Sequence, residues 1–297
     1  IGFCLVGSEM CIRDSVEANT CGNVGGGVCL TTGVPVVSGC VFASNAAECW
    51  GGGLYAISCT PCIIGNDFVS NDAGEYGGGV TNVGTIMWID DCTFASNNAD
   101  FGGGGVHNAD GAELSIRRST LQENTASFEG GGILNAASTA TVGNGWFLAN
   151  GALALGGGLS NTLGATASVV NSVFTGNTSG LLGGAIACSD GADCAIANCT
   201  IATNAADLEA GGLAVLLDGS ASVSNTVLWL NTDAGGASEE AQVSAGTAMT
   251  FSIDYSCVQG WSGALGGVGN IGDDPMLLDP TGGDGIAGTD DDDLRVT

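Results

Sequence analysis

Apolar and polar positions along this chain recur every 26 or 27 residues and nowhere keep a 3.6-residue spacing, so they predict strands and turns, not helices. The clearest marker is a Phe-x-x-Asn pattern with Leu or Ile sometimes replacing Phe: Phe42/Asn45, Phe68/Asn71, Phe94/Asn97, Leu121/Asn124, Phe147/Asn150, Phe174/Asn177, Ile201/Asn204 and Leu228/Asn231. Five residues before each apolar member stand Val37, Ile63, Ile89, Ile116, Val142, Val169, Ile196 and Val223, all β-branched and suited to a pleated, buried surface. Two residues before it come Cys40, Asn66, Cys92, Ser119, Gly145, Ser172, Cys199 and Thr226, small or compact side chains that predict little inward room. Between these columns lie Gly39, Gly65, Asp91, Arg118, Asn144, Asn171, Asn198 and Asn225, mostly residue types that tolerate positive φ, which predicts a sharp bend.

A glycine run opens each period, as at 77–79, 102–105 and 130–132, and an apolar residue follows it, as in Val80, Val106 and Ile133. Two positions later Asn82, Asn108, Asn135 and Asn161 form a second Asn column. Each period therefore holds three short strands: one after the glycines, one ending at the bend, and one carrying Phe-x-x-Asn. The same residue types returning at the same places identify a solenoid whose coils stack through parallel sheets. The predicted fold is an all-β, right-handed parallel β-helix of about eight to nine coils over residues 16–258. Stacking would put like residues in contact along the axis. The column Asn45, Asn71, Asn97, Asn124, Asn150, Asn177, Asn204 and Asn231 is then expected to be structural, its amides bonding the backbone or the Asn of the neighbouring coil. Phosphate-cradling glycine loops open helices; these runs do not, and they are expected to serve positive φ or close packing.

The motifs GGAI at 183–186 and FASN at 42–45 and 94–97 resemble the pectin-lyase-like β-helix superfamily, and within it the polymorphic outer-membrane-protein repeats. That resemblance implies the fold and display at a cell surface. Residues 5–15, LVGSEMCIRDS, resemble the translation of a sequencing-library adaptor, so residues 1–15 are expected to be foreign to the protein. The acidic segment 259–297 breaks the period and resembles the region that closes secreted β-helix repeat proteins; a fragment lacking both natural ends is expected.

Composition narrows the partners. Thirty-one acids against four Arg and no Lys give a formal charge of -27, which repels nucleic acid and anionic lipid. No apolar run reaches the roughly 20 residues of a membrane-spanning helix, so direct insertion is not expected. Cys40, Cys92 and Cys199 read as buried thiols, whereas Cys188 with Cys194, Cys21 with Cys49, and Cys29 with Cys59 or Cys62 are candidate disulfides, pointing to an extracellular or outer-surface location. Asp284 and Asp290, Asp291, Asp292 and Asp293 are candidate Ca²⁺ ligands, set against a simple solvated acidic face.

A secreted or surface structural and adhesive solenoid is expected, contacting polysaccharide or host glycan through Trp50, Trp88, Trp146 and Trp229, without catalysis. The alternative is a Ca²⁺-dependent lyase or a glycoside hydrolase acting on an acidic polysaccharide and centred on Asp90, Asp91, Arg117 and Arg118. Each of those acids precedes an Arg by 27 residues and should neighbour it on the next coil, where an ordinary cross-strand ion pair would also account for it. His107 is expected to be exposed or to cap a turn.

Overall fold

The computed structural model describes residues 3–6, 10–12, 14–246, 249–289 and 291–296. One coil shows how the period becomes structure. After Gly103–Gly105 the chain runs as a strand, Val106–Ala109, turns at Asp110–Gly111, continues as Glu113–Arg117, bends at Arg118, and forms Thr120–Gln122. A second bend at Glu123 leads through Asn124 into a two-residue strand, Thr125–Ala126, before the next glycines. Corresponding strands of successive coils pair in parallel, giving three ten-stranded sheets and a fourth of eight strands. The sequence pattern predicts only three strands per coil. The fourth is too short to carry a period of its own and exists because the chain leaves the Asn turn in register with its neighbours, as in Asp72↔Asn98↔Thr125.

Register aligns the apolar positions. Val80, Val106, Ile133 and Leu159 stack in the first sheet, Ile89, Ile116, Val142 and Val169 in the second, and Phe68, Phe94, Leu121, Phe147 and Phe174 in the third. All are buried, and they belong to one continuous core. The rings of Phe42 and Phe68 lie 4.7 Å apart at 8°, and those of Phe147 and Phe174 lie 4.2 Å apart at 7°. Each buried side chain of this size contributes roughly 1.5–3 kcal/mol.

All eight residues of the expected bend have positive φ, from Gly39 at 65° to Asn225 at 49°. A second left-handed column stands immediately before the Asn ladder and includes Ala149 (50°) and Leu230 (56°), residue types that give no hint of it in sequence. The bends strand backbone groups inside the coil, and the Asn side chains satisfy them. Asn124 Oδ1 accepts from both the backbone N–H (3.0 Å) and the side-chain amide (2.9 Å) of Asn97, while Asn124 Nδ2 donates to Phe94 O (2.9 Å) and to Asn150 Oδ1 (2.9 Å). The same unit repeats from Asn19, one coil before the first Phe-x-x-Asn, to Asn231. There Gln242 takes over, accepting from Asn231 N and Nδ2 at 3.2 and 2.8 Å and donating to Asn231 O at 2.9 Å. Gln242 sits on a one-turn helix, Glu239–Gln242, whose N-cap is Ser238.

The glycine run brings neighbouring coils into backbone contact. Gly103 has φ of 67°, and a Cβ on Gly104 would stand 2.3 Å from Thr125 O and 2.6 Å from Gly131 O. Beyond the last coil, Asn270 accepts from Ser256 N (2.9 Å) and donates to Ile253 O (2.8 Å), while Trp261 and Leu265, with Phe251 of the last coil, pack against the core. The acidic tail closes as an antiparallel pair, Leu277–Asp279 with Asp293–Val296.

Two substitutions check the ladder and the glycine contact. Asn124→Ala leaves the amide of Asn97 and the carbonyl of Phe94 short of partners and should cost on the order of 3 kcal/mol in urea unfolding. Gly104→Ala should prevent folding or cost at least as much, whereas Gly111→Ala, with positive φ but nothing within 4 Å of the added carbon, should cost only about 1 kcal/mol.

Candidate functional site

The corner just ahead of the glycines is where the repeat varies. Its isolated bridges align Trp50, Tyr76, Gly102, Glu129, Leu155 and Leu182 along the axis. Two aromatic rings therefore stand beside a position with no side chain, followed by a carboxylate. The hollow at Gly102 is floored by Leu134, whose Cδ2 would come 2.5 Å from a Cβ placed there. The resulting groove has a volume of about 450 Å³. Trp50, Tyr76, Phe101 and Phe128 line it together with Asp110, Glu129 and Asp190 at its polar positions.

His107 also lines the groove, and its position corrects the expectation of an exposed or capping residue. Strand alternation sends Val106 and Asn108 inward and His107 to the outer face of the first sheet. That face is covered by the preceding coils. The imidazole stacks on Tyr76 (4.6 Å, 22°), meets the edge of Trp50 (6.2 Å, 83°) and is only 4% exposed. Tyr76 stacks in turn on Phe101 at 5.6 Å, and Trp50 Nε1 donates to Glu75 Oε2 at 2.6 Å, fixing the cluster. His107 Nδ1 has no hydrogen-bond partner. Burial pushes its pKa down to about 3, so the ring is neutral near pH 7.

Glu129 is half-buried, and its pKa is raised, first by desolvation and further by the charge of Asp190; a hydrogen bond from Ser160 Oγ at 3.1 Å partly offsets this. Asp190, at a positive-φ turn, accepts from Thr162 Oγ1 at 2.9 Å. Asp110 occupies the equivalent turn three coils earlier, also with positive φ. No Arg lines the groove among the described residues.

The sequence-derived set lies elsewhere. Asp90 pairs in register with Arg117, as the 27-residue offset requires, but the ion pair forms with Arg118, whose NH2 reaches Asp90 Oδ2 at 2.5 Å. Asp91 and Arg118 occupy the positive-φ bend between the second and third sheets, which turns them away from the strand direction and prevents a second cross-strand pair of the expected kind. The Arg118 side chain is 61% exposed, and none of the four residues lines the groove. Trp88 and Trp146 point outward, at 44% and 46% exposure, while Trp229 is half-buried.

Cys188 and Cys194 are joined in a disulfide across the turn at Asp190. Cys21, Cys49, Cys59 and Cys62 are thiols, against the expectation of cross-links between coils. Register explains this: Cys21 faces Ala47, not Cys49, and Cys29 faces Tyr55, not Cys59 or Cys62. Cys40, Cys92 and Cys199 are buried, and burial pushes Cys92 and Cys199 up to about 11. In the acidic tail the carboxylates face donors. Asp284 accepts from Ile286 N, Asp291 from Gly283 N and Thr289 Oγ1, Asp292 from Gly288 N and Thr175 Oγ1, and Asp293 pairs with Arg295. No cluster of three metal-ligating side chains is present among the described residues, and Asp290 lies outside them.

One signal in the sequence points to the groove. Aligning the residue before the last three glycines of each run yields Trp50, Tyr76, Gly102, Glu129 and Leu155, a column that varies while the glycines after it stay constant. A family model described as "Right handed beta helix region" matches residues 26–201. Searches among curated proteins and solved structures return no match to the chain.

The burial of His107 has a pH signature. Above the ordinary histidine pKa of about 6.5 it is neutral whether folded or unfolded; between about 6.5 and about 3 only the unfolded chain takes up the proton, so stability falls as pH falls through that window. Glu129, with its raised pKa, acts in the opposite sense, so the variant must be compared with the parent at each pH. His107→Phe should gain on the parent by on the order of 3 kcal/mol between pH 7 and pH 4 in urea unfolding; an unchanged gap would show that the histidine is not held neutral.

Proposed function

The chain belongs to the right-handed β-helix family, and from that premise we propose that it is a surface-displayed structural solenoid that holds polysaccharide against the groove of Trp50, Tyr76, Phe101 and Phe128. The carrying observation is the groove itself: flat aromatic faces on adjacent coils, bordered by carboxylates that can accept hydrogen bonds from sugar hydroxyls. Its apolar wall continues along the axis. Backbone bonds join Phe101, Phe128, Ala154, Leu181 and Leu208 in one ladder, and all but Ala154 expose large apolar side chains. Such a track suits an extended polymer better than a small metabolite. Two further observations support display outside the cell: the Cys188–Cys194 disulfide, which an oxidising compartment preserves, and the GGAI and FASN motifs, which resemble polymorphic outer-membrane-protein repeats.

A hydrolytic role is favoured by one observation, the presence of two carboxyl groups on one groove, Asp190 and a half-buried Glu129 that desolvation pushes above the usual carboxylate range, the pairing a general acid uses. It would centre on the groove and not on Asp90, Asp91, Arg117 and Arg118. Release of reducing ends from a bound glycan, lost in Glu129→Gln, would establish it.

Titration calorimetry against short neutral and charged oligosaccharides tests the binding role. Tyr76→Ala should weaken the best ligand by about tenfold, roughly 1.4 kcal/mol, while Trp146→Ala, on a face away from the groove, should leave it unchanged. Absence of binding to any glycan, or equal effects of the two variants, would reject it.

A further inference from the structure

We propose that the glycan held in this groove is a polysaccharide bearing free amino groups. This rests on the binding role just described and adds the charge of the ligand.

Three carboxylates, Asp110, Glu129 and Asp190, border the groove, and no described cation does. The described arginines are accounted for elsewhere: Arg117 and Arg118 at the bend after the second sheet, and Arg295 with Asp293 in the tail. A polyuronate would bring negative charge to a groove that offers it no counter-charge, on a chain already at -27. An ammonium group meets the opposite situation. It can bond to carboxylate oxygens and lie over the exposed rings of Phe101 or Phe128, where the negative π-surface attracts cations.

Independently of the acids, His107 is more than nine-tenths buried at the groove and leaves Nδ1 without a partner. A buried nitrogen of this kind is costly unless something completes it. As a neutral ring packed against Tyr76 and Trp50 it adds no positive charge to oppose an ammonium. The half-buried Glu129 would gain a counter-ion on binding, whose attraction offsets the desolvation that raises its pKa. Aromatic faces favour sugar rings over a basic peptide, whose extended side chains need only the carboxylates.

The test uses the full chain and four short oligosaccharides of matched length: glucosamine, N-acetylglucosamine, glucose and galacturonate oligomers, titrated at a pH where the amines are charged. The glucosamine oligomer should bind about tenfold more tightly than its acetylated counterpart, with galacturonate weakest, and the gap should narrow as salt rises. Asp190→Asn and Glu129→Gln should each shrink that preference severalfold, whereas Tyr76→Ala should weaken amino and acetylated oligomers alike. Circular dichroism and the urea midpoint identify any variant that fails to fold, and the salt dependence of the parent then carries the test alone. Equal or tighter binding of the acetylated or neutral oligomer overturns this inference and leaves the glycan-binding role standing. Binding of none of the four overturns both. Competition by polylysine as strong as by the amine oligomer, insensitive to Asp190→Asn and Glu129→Gln, would assign the attraction to the acidic surface at large and overturn it as well.

Discussion

A bend that turns the backbone inside a packed coil leaves amides and carbonyls with no water to bond, and the Asn ladder answers that constraint. Each Asn serves the coil before it and is served by the coil after it, so no rung is complete alone. Everything else follows from the register this imposes. Phe stacks on Phe, β-branched residue on β-branched residue, and glycine lies on glycine closely enough that one added carbon would meet the neighbouring backbone at under 3 Å. Stability in such an array is largely a nearest-neighbour sum, and the ladder couples one coil to the next most directly.

Inward positions repeat because they touch their own kind. Outward positions are released from that demand, and function can be written only there. The column Trp50, Tyr76, Gly102, Glu129 shows the release at work: aromatic, aromatic, absent, acidic, on a corner whose adjoining glycines cannot vary. A groove forms because one coil omits a side chain that its neighbours supply.

The division also explains what could be read from the chain. The ladder, the β-branched column and the positive-φ bend were legible because each recurs in every coil, and repetition turns weak local preferences into a clear pattern. The fourth sheet was not, since two residues carry no periodicity. Nor was the burial of His107: strand alternation points it outward, and the rings of Tyr76 and Trp50, from coils one and two turns earlier, pack against it there. The Asp90, Asp91, Arg117 and Arg118 set was visible as chemistry but not as geometry. An offset of 27 residues fixes which backbones align, not which way a side chain leaves a left-handed bend, and Arg118 consequently takes Asp90 instead of Asp91.

Gln242 gives the ladder an ending. Every Asn in the column offers an amide to the next coil, a template that would accept another strand of the same kind without limit, as a growing crystal face accepts another layer. The one-turn helix at Glu239–Gln242 occupies that face with a side chain whose oxygen and nitrogen are both engaged with Asn231, while the nitrogen also bonds Ser238 O. The column is closed by a longer amide of the same chemistry, while the three main sheets run on for one more coil, so the amide edge of the ladder is covered without ending the stack.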